Sequence, residues 1–239
     1  MLNRFSEHTM DEINRIKQAY DKRDNLKYSD IYSYYNPSAL FIYQEREKAI
    51  LRALSQNGFQ NLSEKRILDI GCGYGLMLRD FIKYGAVPEN CFGIDLLPER
   101  IEQARRLSPG MDFKCENAAH TSYDNDSFDI VLCSTVFSSI IDREMKQNIA
   151  KEIVRVQSLN GLILWYDYHM NNPKNPDVKG VTKKEILELF PDCDIKLKRI
   201  ILAPPLLRLI APYSLILCHL LQKIIILNTH YLGTIRKTR

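Results

Sequence analysis

The chain has 239 residues, 45% of them hydrophobic and 26% charged, with a formal net charge of +4. This is an ordinary composition for a folded protein, and the length allows a substantial buried core, either one large domain or a core with modest appendages. The positive balance is mild and the charges are mixed along the chain, which argues against a nucleic-acid groove.

Taken in chain order, Thr9-Met10-Asp11-Glu12 fits a capping box, with Ile13, Ile16 and Tyr20 as the apolar face of a short helix. A polar, tyrosine-rich stretch follows (Tyr28, Tyr32, Tyr34, Tyr35). Asn36-Pro37 then starts a helix that runs to about Gln56 and ends at Asn57-Gly58. These two helices make residues 1–60 an N-terminal extension to a core at 61–239. In the core, strands are expected near 66–70, 91–94, 111–115, 128–134 and 161–167. Helices are expected near 75–85, 98–107 and 142–158, with an Asn160-Gly161 turn closing the last. Thr182-Lys183-Lys184-Glu185 opens another helix to Phe190; Ile195–Leu202 and Tyr231–Arg236 read as the final strands. Apolar strands alternating with amphipathic helices imply a parallel sheet covered on both faces.

Cys72, Cys91, Cys115, Cys133, Cys193 and Cys218 include no Cys-x-x-Cys pair. They read as free thiols in a reducing cytoplasm, with no zinc site. Met1 to Lys17 mixes charges and lacks an apolar core, so no signal peptide is expected. The tail Arg236-Lys237-Thr238-Arg239 reads as a solvated terminus.

The most informative stretch is Arg66-Ile67-Leu68-Asp69-Ile70-Gly71-Cys72-Gly73-Tyr74-Gly75. A strand enters a loop with glycines at alternate positions and an amphipathic helix follows, the arrangement that brings backbone N–H groups to an electron-rich ligand. A second strand, Cys91-Phe92-Gly93-Ile94, ends in Asp95, where a carboxylate can take both hydroxyls of a ribose. The spacing is not the Gly-x-Gly-x-x-Gly of a dinucleotide fold. These two motifs resemble those of the class I S-adenosylmethionine (SAM)-dependent methyltransferases. Glu116-Asn117-Ala118 stands where that family commonly has Gly-Asp-Ala, with Asn117 in place of the acid, and Phe128-Asp129-Ile130-Val131-Leu132 is similar to its fourth strand.

The resemblance covers residues 62–167. It implies an α/β, three-layer, Rossmann-like fold: a mostly parallel seven-stranded sheet whose last strand is antiparallel beside strand six, with the N-terminal extension covering the cofactor. It also implies that Asp69, Gly71, Cys72, Gly73 and Gly75 hold the methionine end of SAM and Asp95 with Leu96 the ribose. Asn117 with Ala118 would hold the adenine, with an amide oxygen accepting from its amino group, and Ser134 would lie alongside. The segments from Asn171-Asn172-Pro173 to Thr229-His230-Tyr231-Leu232-Gly233 are similar to bacterial methyltransferases of glycan or natural-product pathways.

Residues 200–227 are mostly Leu, Ile and Pro. Arg208, Lys223 and three prolines interrupt them, and the longest charge-free run, Leu209–Gln222, is too short to span a membrane. His219, Gln222 and Lys223 share one stripe, so an apolar lid at about 204–230 is expected, with an interfacial membrane contact as the alternative. Lys196, Lys198, Arg199 and Arg208 are either solvated or near an anionic group.

A hydroxyl acceptor needs a general base, whereas a neutral amine needs none. Asp167 and His169 follow strand five with the same side-chain parity and are the candidates; the alternative is a turn cap and a solvated loop residue. Two such residues fall short of a metal site. His120 is placed near the adenine loop, His230 reads as structural, and His8 and His219 show no partner. The tyrosines and Asn36 either close over the site or pack.

The expectation is a cytoplasmic SAM-dependent methyltransferase acting on the oxygen or nitrogen of a small molecule with a hydrophobic portion: a glycan, lipid-linked or natural-product precursor. Two alternatives stay open, a non-catalytic SAM-binding partner subunit and a peripheral membrane protein that uses residues 204–227.

Overall fold

The computed structural model describes residues 7–25, 31–172 and 175–238. Tyr28, Pro173 and Arg239 lie outside these, as does the side chain of His8. Seven strands form one sheet: β1 (Ile67–Ile70), β2 (Cys91–Asp95), β3 (Asp112–Cys115), β4 (Phe128–Ser134), β5 (Gln157–Tyr168), β6 (Cys193–Leu202) and β7 (Asn228–Lys237). Their spatial order is 3-2-1-4-5-7-6. The first five run parallel, and β7 inserts antiparallel between β5 and β6. The four residues of β1 are all buried, as a central parallel strand covered on both faces requires.

The helices are α1 (Glu7–Asn25), α2 (Pro37–Gln56), α3 (Leu76–Lys83), α4 (Pro98–Leu107), α5 (Arg143–Val156), α6 (Lys183–Leu189), α7 (Pro204–Ile210) and α8 (Leu215–Gln222). They divide the core in two. On one face α2, α3, α4, α7 and α8 pack Phe41, Ile50, Leu78, Phe81, Leu207 and Cys218 against Ile67, Ile130 and Leu164. On the other, α1, α5 and α6 pack Ile13, Ile16, Ile149, Ile153 and Ile186 against Leu68, Val131 and Trp165. Alternate residues of each strand supply the two layers, so β1 sends Ile67 and Asp69 one way and Leu68 and Ile70 the other.

Three boundaries differ from the sequence expectation. Helix α1 already starts at Glu7, before the supposed capping box, and Glu12 is used elsewhere. The turn at Asn160-Gly161 is instead a bulge inside β5, where Gln157 pairs with Phe128 and the register resumes at Leu162 opposite Ile130. Strand β7 begins at Asn228, so His230 lies within it. Asn36 does cap α2, its side chain accepting from the Ser38 N–H at 3.0 Å.

Segment 204–227 leaves β6 at Ile201, a β-branched residue held at φ 65°. It folds back as α7, α8 and a 3₁₀ turn, Ile225–Leu227. The stripe noted in the sequence seats α8 on α2: His219 lies against Phe41 with its Nδ1 3.6 Å from Glu45, and Gln222 donates to Glu45 at 2.5 Å. No helix among the described residues is long and apolar enough to cross a membrane.

Candidate functional site

The loop after β1 explains its glycines. Gly71, Gly73 and Gly75 have φ of 68°, 53° and 74°, the left-handed region that other residues enter at a cost. A Cβ on Gly71 would lie 2.8 Å from Val136, which lines the cavity described below, and one on Gly75 would lie 2.9 Å from the Phe113 ring. The loop is tied to the next strand through Asp95. Its Oδ2 accepts from the Gly73 N–H at 2.9 Å and its Oδ1 from the Leu97 N–H at 3.0 Å. The carboxylate therefore fixes the loop and keeps its remaining lone pairs for a ligand.

A cavity of about 210 Å³ opens at the carboxyl ends of β1, β2 and β4. Of the residues singled out in the sequence, Gly71, Asp95, Leu96, Asn117, Ala118 and Ser134 line it. Asp69, Cys72, Gly73 and Gly75 stand behind the lining. Cys72 is buried, with its Sγ against Gly93, and burial holds its thiol protonated. Asp69 is buried on the α2 side of β1. Burial, then repulsion from Asp95, outweigh the pull of Arg46 and push its carboxyl up to about 8.

Asn117 differs from the expectation in detail. Its Oδ1 already accepts from the Ala119 N–H at 2.9 Å, while its buried Nδ2 has no hydrogen-bond partner. Because Ala119 supplies a donor, the amide orientation is fixed by the network. The group offered to a ligand is thus a donor, suited to a ring nitrogen rather than an exocyclic amine. An orphaned buried donor beside Leu96 and Ala118, at the rim that Asp95 shares, fits the adenosine portion of SAM.

Other lining residues carried no local sequence signal. Ile16 and Tyr20 come from α1, Arg100 from α4, Met145 and Ile149 from α5, and Thr135, Val136, Ser139 and Ile140 from the loop after β4. Helix α1 is held there by Glu12, which accepts from the Ile141 and Asp142 N–H groups and pairs with Arg15. Arg15 also donates to Ser139 O at 2.6 Å, and the Tyr20 hydroxyl meets Ser139 Oγ at 3.0 Å. Burial alone would raise Glu12, but Arg15 and the two backbone donors hold it below the usual carboxylate range.

Asp167 and His169 do not pair with each other. Asp167 is fully buried and accepts from the Ser138 N–H at 2.9 Å and the Tyr168 N–H at 2.8 Å. Burial pushes it up to about 6 against those two donors. His169 directs Nε2 to Asn228 O at 2.8 Å and lies against Tyr231. That carbonyl can only accept, so Nε2 carries the proton and Nδ1 is the basic nitrogen. His230 is buried, stacked on Tyr166 at 5.1 Å and close to Tyr168, with burial holding it down to about 3 and therefore neutral. His120 is exposed beyond Asn117. Tyr32, Tyr34 and Tyr35 are exposed and do not line the cavity, nor does any residue of 204–227. Among the described residues no cluster of His, Cys, Asp or Glu could hold a metal ion.

A glycine loop closing on an acid at the end of β2, in a sheet of order 3-2-1-4-5-7-6, is the Rossmann-like fold of the class I SAM-dependent methyltransferases. Residues 68–165 match the methyltransferase domain family. Among curated proteins, the chain is 32% identical over 114 residues to a phthiotriol/phenolphthiotriol dimycocerosates methyltransferase of Mycobacterium leprae, covering 47% of this chain and 41% of that one. It is 26% identical over 145 residues to a ubiquinone biosynthesis O-methyltransferase of Coxiella burnetii, covering 56% and 58%. The chain thus spans about half the length of the curated relatives it matches. Among solved structures, a putative methyltransferase of Haloferax volcanii, held in a complex with a methyltransferase activator, has a TM-score of 0.60 at 17% identity, covering 94% and 98%. A SAM-dependent methyltransferase of Mesorhizobium loti has a TM-score of 0.57 at 16% identity, covering 80% and 97%. At these identities the structures speak for the fold alone.

Proposed function

We propose that this chain transfers a methyl group from SAM to an oxygen or nitrogen of a small acceptor with a hydrophobic portion. The observation that carries this reading is the cavity rim. Asp95 and Asn117 both line it, and the carboxyl group of one and the orphaned Nδ2 of the other supply the acceptor and the donor that a ribose and an adenine ring call for. SAM supplies a methyl already activated by a sulfonium, so the chain's task is alignment and exclusion of water. Asp69 and the glycine loop, whose backbone a ligand can approach without meeting a Cβ, hold the methionine end. Ile16 and Tyr20 close the cavity from above, and Glu12 with Arg15 keeps them in place. Asp167 is a positioning residue: through Ser138 it sets the loop after β4. His169 Nδ1 is the group able to take a proton from a hydroxyl acceptor. The apolar acceptor is supported by the likeness to relatives named for a dimycocerosate and for ubiquinone biosynthesis.

Calorimetry with SAM and with S-adenosylhomocysteine tests cofactor binding. A radiolabelled-methyl assay on lipid, glycan and small-molecule extracts then tests the acceptor. Label confined to the lipid pool is the expected result; binding without label in any pool would mean a non-catalytic SAM-binding subunit.

A further inference from the structure

The segment between β6 and β7 buries only a thin inner line, of which Leu207, Ala211 and Cys218 are the buried members. Its outer face is aliphatic and open to solvent. Leu209 is 68% exposed, Ile216 75% and Ile226 75%, with Leu215, Leu217, Leu220, Ile224 and Ile225 between them. Helices α7 and α8 and the following 3₁₀ turn are neighbours, so these side chains make one surface instead of scattered single residues. Its charge is one-sided. From residue 195 to the end the chain has eight Lys and Arg and no Asp or Glu. Arg208 and Lys223 are exposed within the apolar surface and, among the described residues, have no ion-pair partner. Arg208 also lines a cleft of about 570 Å³ with Tyr35 and Ser38, between the start of α2 and α7. Lys196 and Lys198 are exposed on the sheet face that α8 covers.

We propose that the outer face of residues 204–227 docks on an anionic lipid bilayer, with the Leu and Ile side chains in the acyl boundary and Arg208 and Lys223 at the headgroups. Charge complementarity selects this occupant. An apolar face whose own segment carries Arg208 and Lys223 and no acid fits an interface of hydrocarbon beneath negative headgroups. A second copy meeting it face to face would set like charges against each other with no acid in the segment to offset them. The contact lies on the surface and does not span it, since no described helix is long enough. Strands β5 and β6 are both antiparallel to β7 and hence parallel to each other. The segment therefore leaves the sheet at the end where the cofactor cavity opens. Docking turns that end toward the bilayer, a consequence that rests on the proposed apolar acceptor, whereas the docking itself does not.

The test is co-sedimentation of the full chain with vesicles of phosphatidylcholine alone or with added phosphatidylglycerol, at low and high salt. The parent chain is expected to bind the anionic vesicles and to lose much of that binding at high salt. An Ile216→Glu/Ile226→Glu variant changes only solvent-facing side chains and should lower binding to both vesicle types by about tenfold or more. Arg208→Glu/Lys223→Glu should weaken binding to the anionic vesicles alone, by roughly fivefold or more per charge. SAM affinity measured on the same samples should be unchanged, which certifies the fold. No vesicle binding by the parent chain, or equal binding by the Ile216→Glu/Ile226→Glu variant, overturns the proposal. So does a dimer in light scattering that the same variant dissociates, because the face then belongs to a second copy. Vesicle binding without SAM binding would remove the proposed activity and leave the docking intact; the reverse would do the opposite.

Discussion

Asp95 permits a demanding test because both of its oxygens are already committed. Oδ2 takes the Gly73 N–H and Oδ1 the Leu97 N–H, at 2.9 and 3.0 Å. A hydrogen bond to a charged acceptor contributes about 1.5–3 kcal/mol. Two ribose hydroxyls on this carboxylate therefore amount to about 3–6 kcal/mol, or roughly two to four powers of ten in affinity. Asp95→Ala removes them and should weaken SAM binding to that extent. It also frees two partly buried N–H groups that water can reach, costing about 1–2 kcal/mol and lowering Tm by about 2–8 °C in a domain of this size. Asp95→Asn, usually the milder change, should be no milder here. Whichever way the amide turns, its NH2 faces a backbone N–H, so donor meets donor and the loop that holds Gly73 is pushed away. Calorimetry gives the affinities and thermal unfolding the stability. If Asp95→Asn bound SAM within about threefold of the parent chain, the carboxylate would not be the ribose acceptor and the reading of the rim would be wrong.

Other perturbations reach the rest of the site. Asp69 keeps its proton in the folded chain up to about pH 8, whereas an unfolded Asp releases it near pH 4, so folding takes up a proton across that window. The ligand-free chain should accordingly lose stability as pH rises from about 4 to 8, and Asp69→Asn should flatten that slope in thermal unfolding. SAM is cationic and favours the carboxylate, so its binding at neutral pH should expel close to one proton. Binding enthalpies that did not vary with the buffer's ionisation heat would refute this. Asn117→Asp replaces the orphaned donor with an acceptor and should weaken SAM binding about tenfold; equal or tighter binding would show that the amide donor is not used. Glu12→Ala frees α1 from the loop after β4 and should raise the SAM dissociation constant about tenfold, with a small Tm change because α1 adds few residues to the core. An unchanged constant would mean that α1 does not close the cavity.

The order of strands and helices in residues 61–202, the glycine loop and the acid at the end of β2 were all legible from the sequence. Each rests on a local cause: apolar periodicity, the φ that only glycine takes readily, a carboxylate at a strand end. A cover from the N-terminal extension was implied by the resemblance, but which side chains form it was not legible. Ile16 and Tyr20 read only as an apolar helix face, and nothing in Glu12 or Arg15 announced that they would reach Ser139 and Ile141 more than a hundred positions away. Asp167 and His169 share a parity that put both forward as the general base. The sheet instead placed backbone donors on Asp167 and the Asn228 carbonyl on His169. Asn117 could be placed near the adenine by its motif, yet which end of its amide is left without a partner was settled by the turn that brings Ala119 N–H to its oxygen. The sequence marked 204–227 as apolar; only the packing of α8 on α2 showed which side chains are spent on the core and which face outward. Local chemistry thus determines where the chain turns and what each turn can offer. Which offer stays open to a ligand or a membrane depends on contacts between distant segments, which no short window of residues contains.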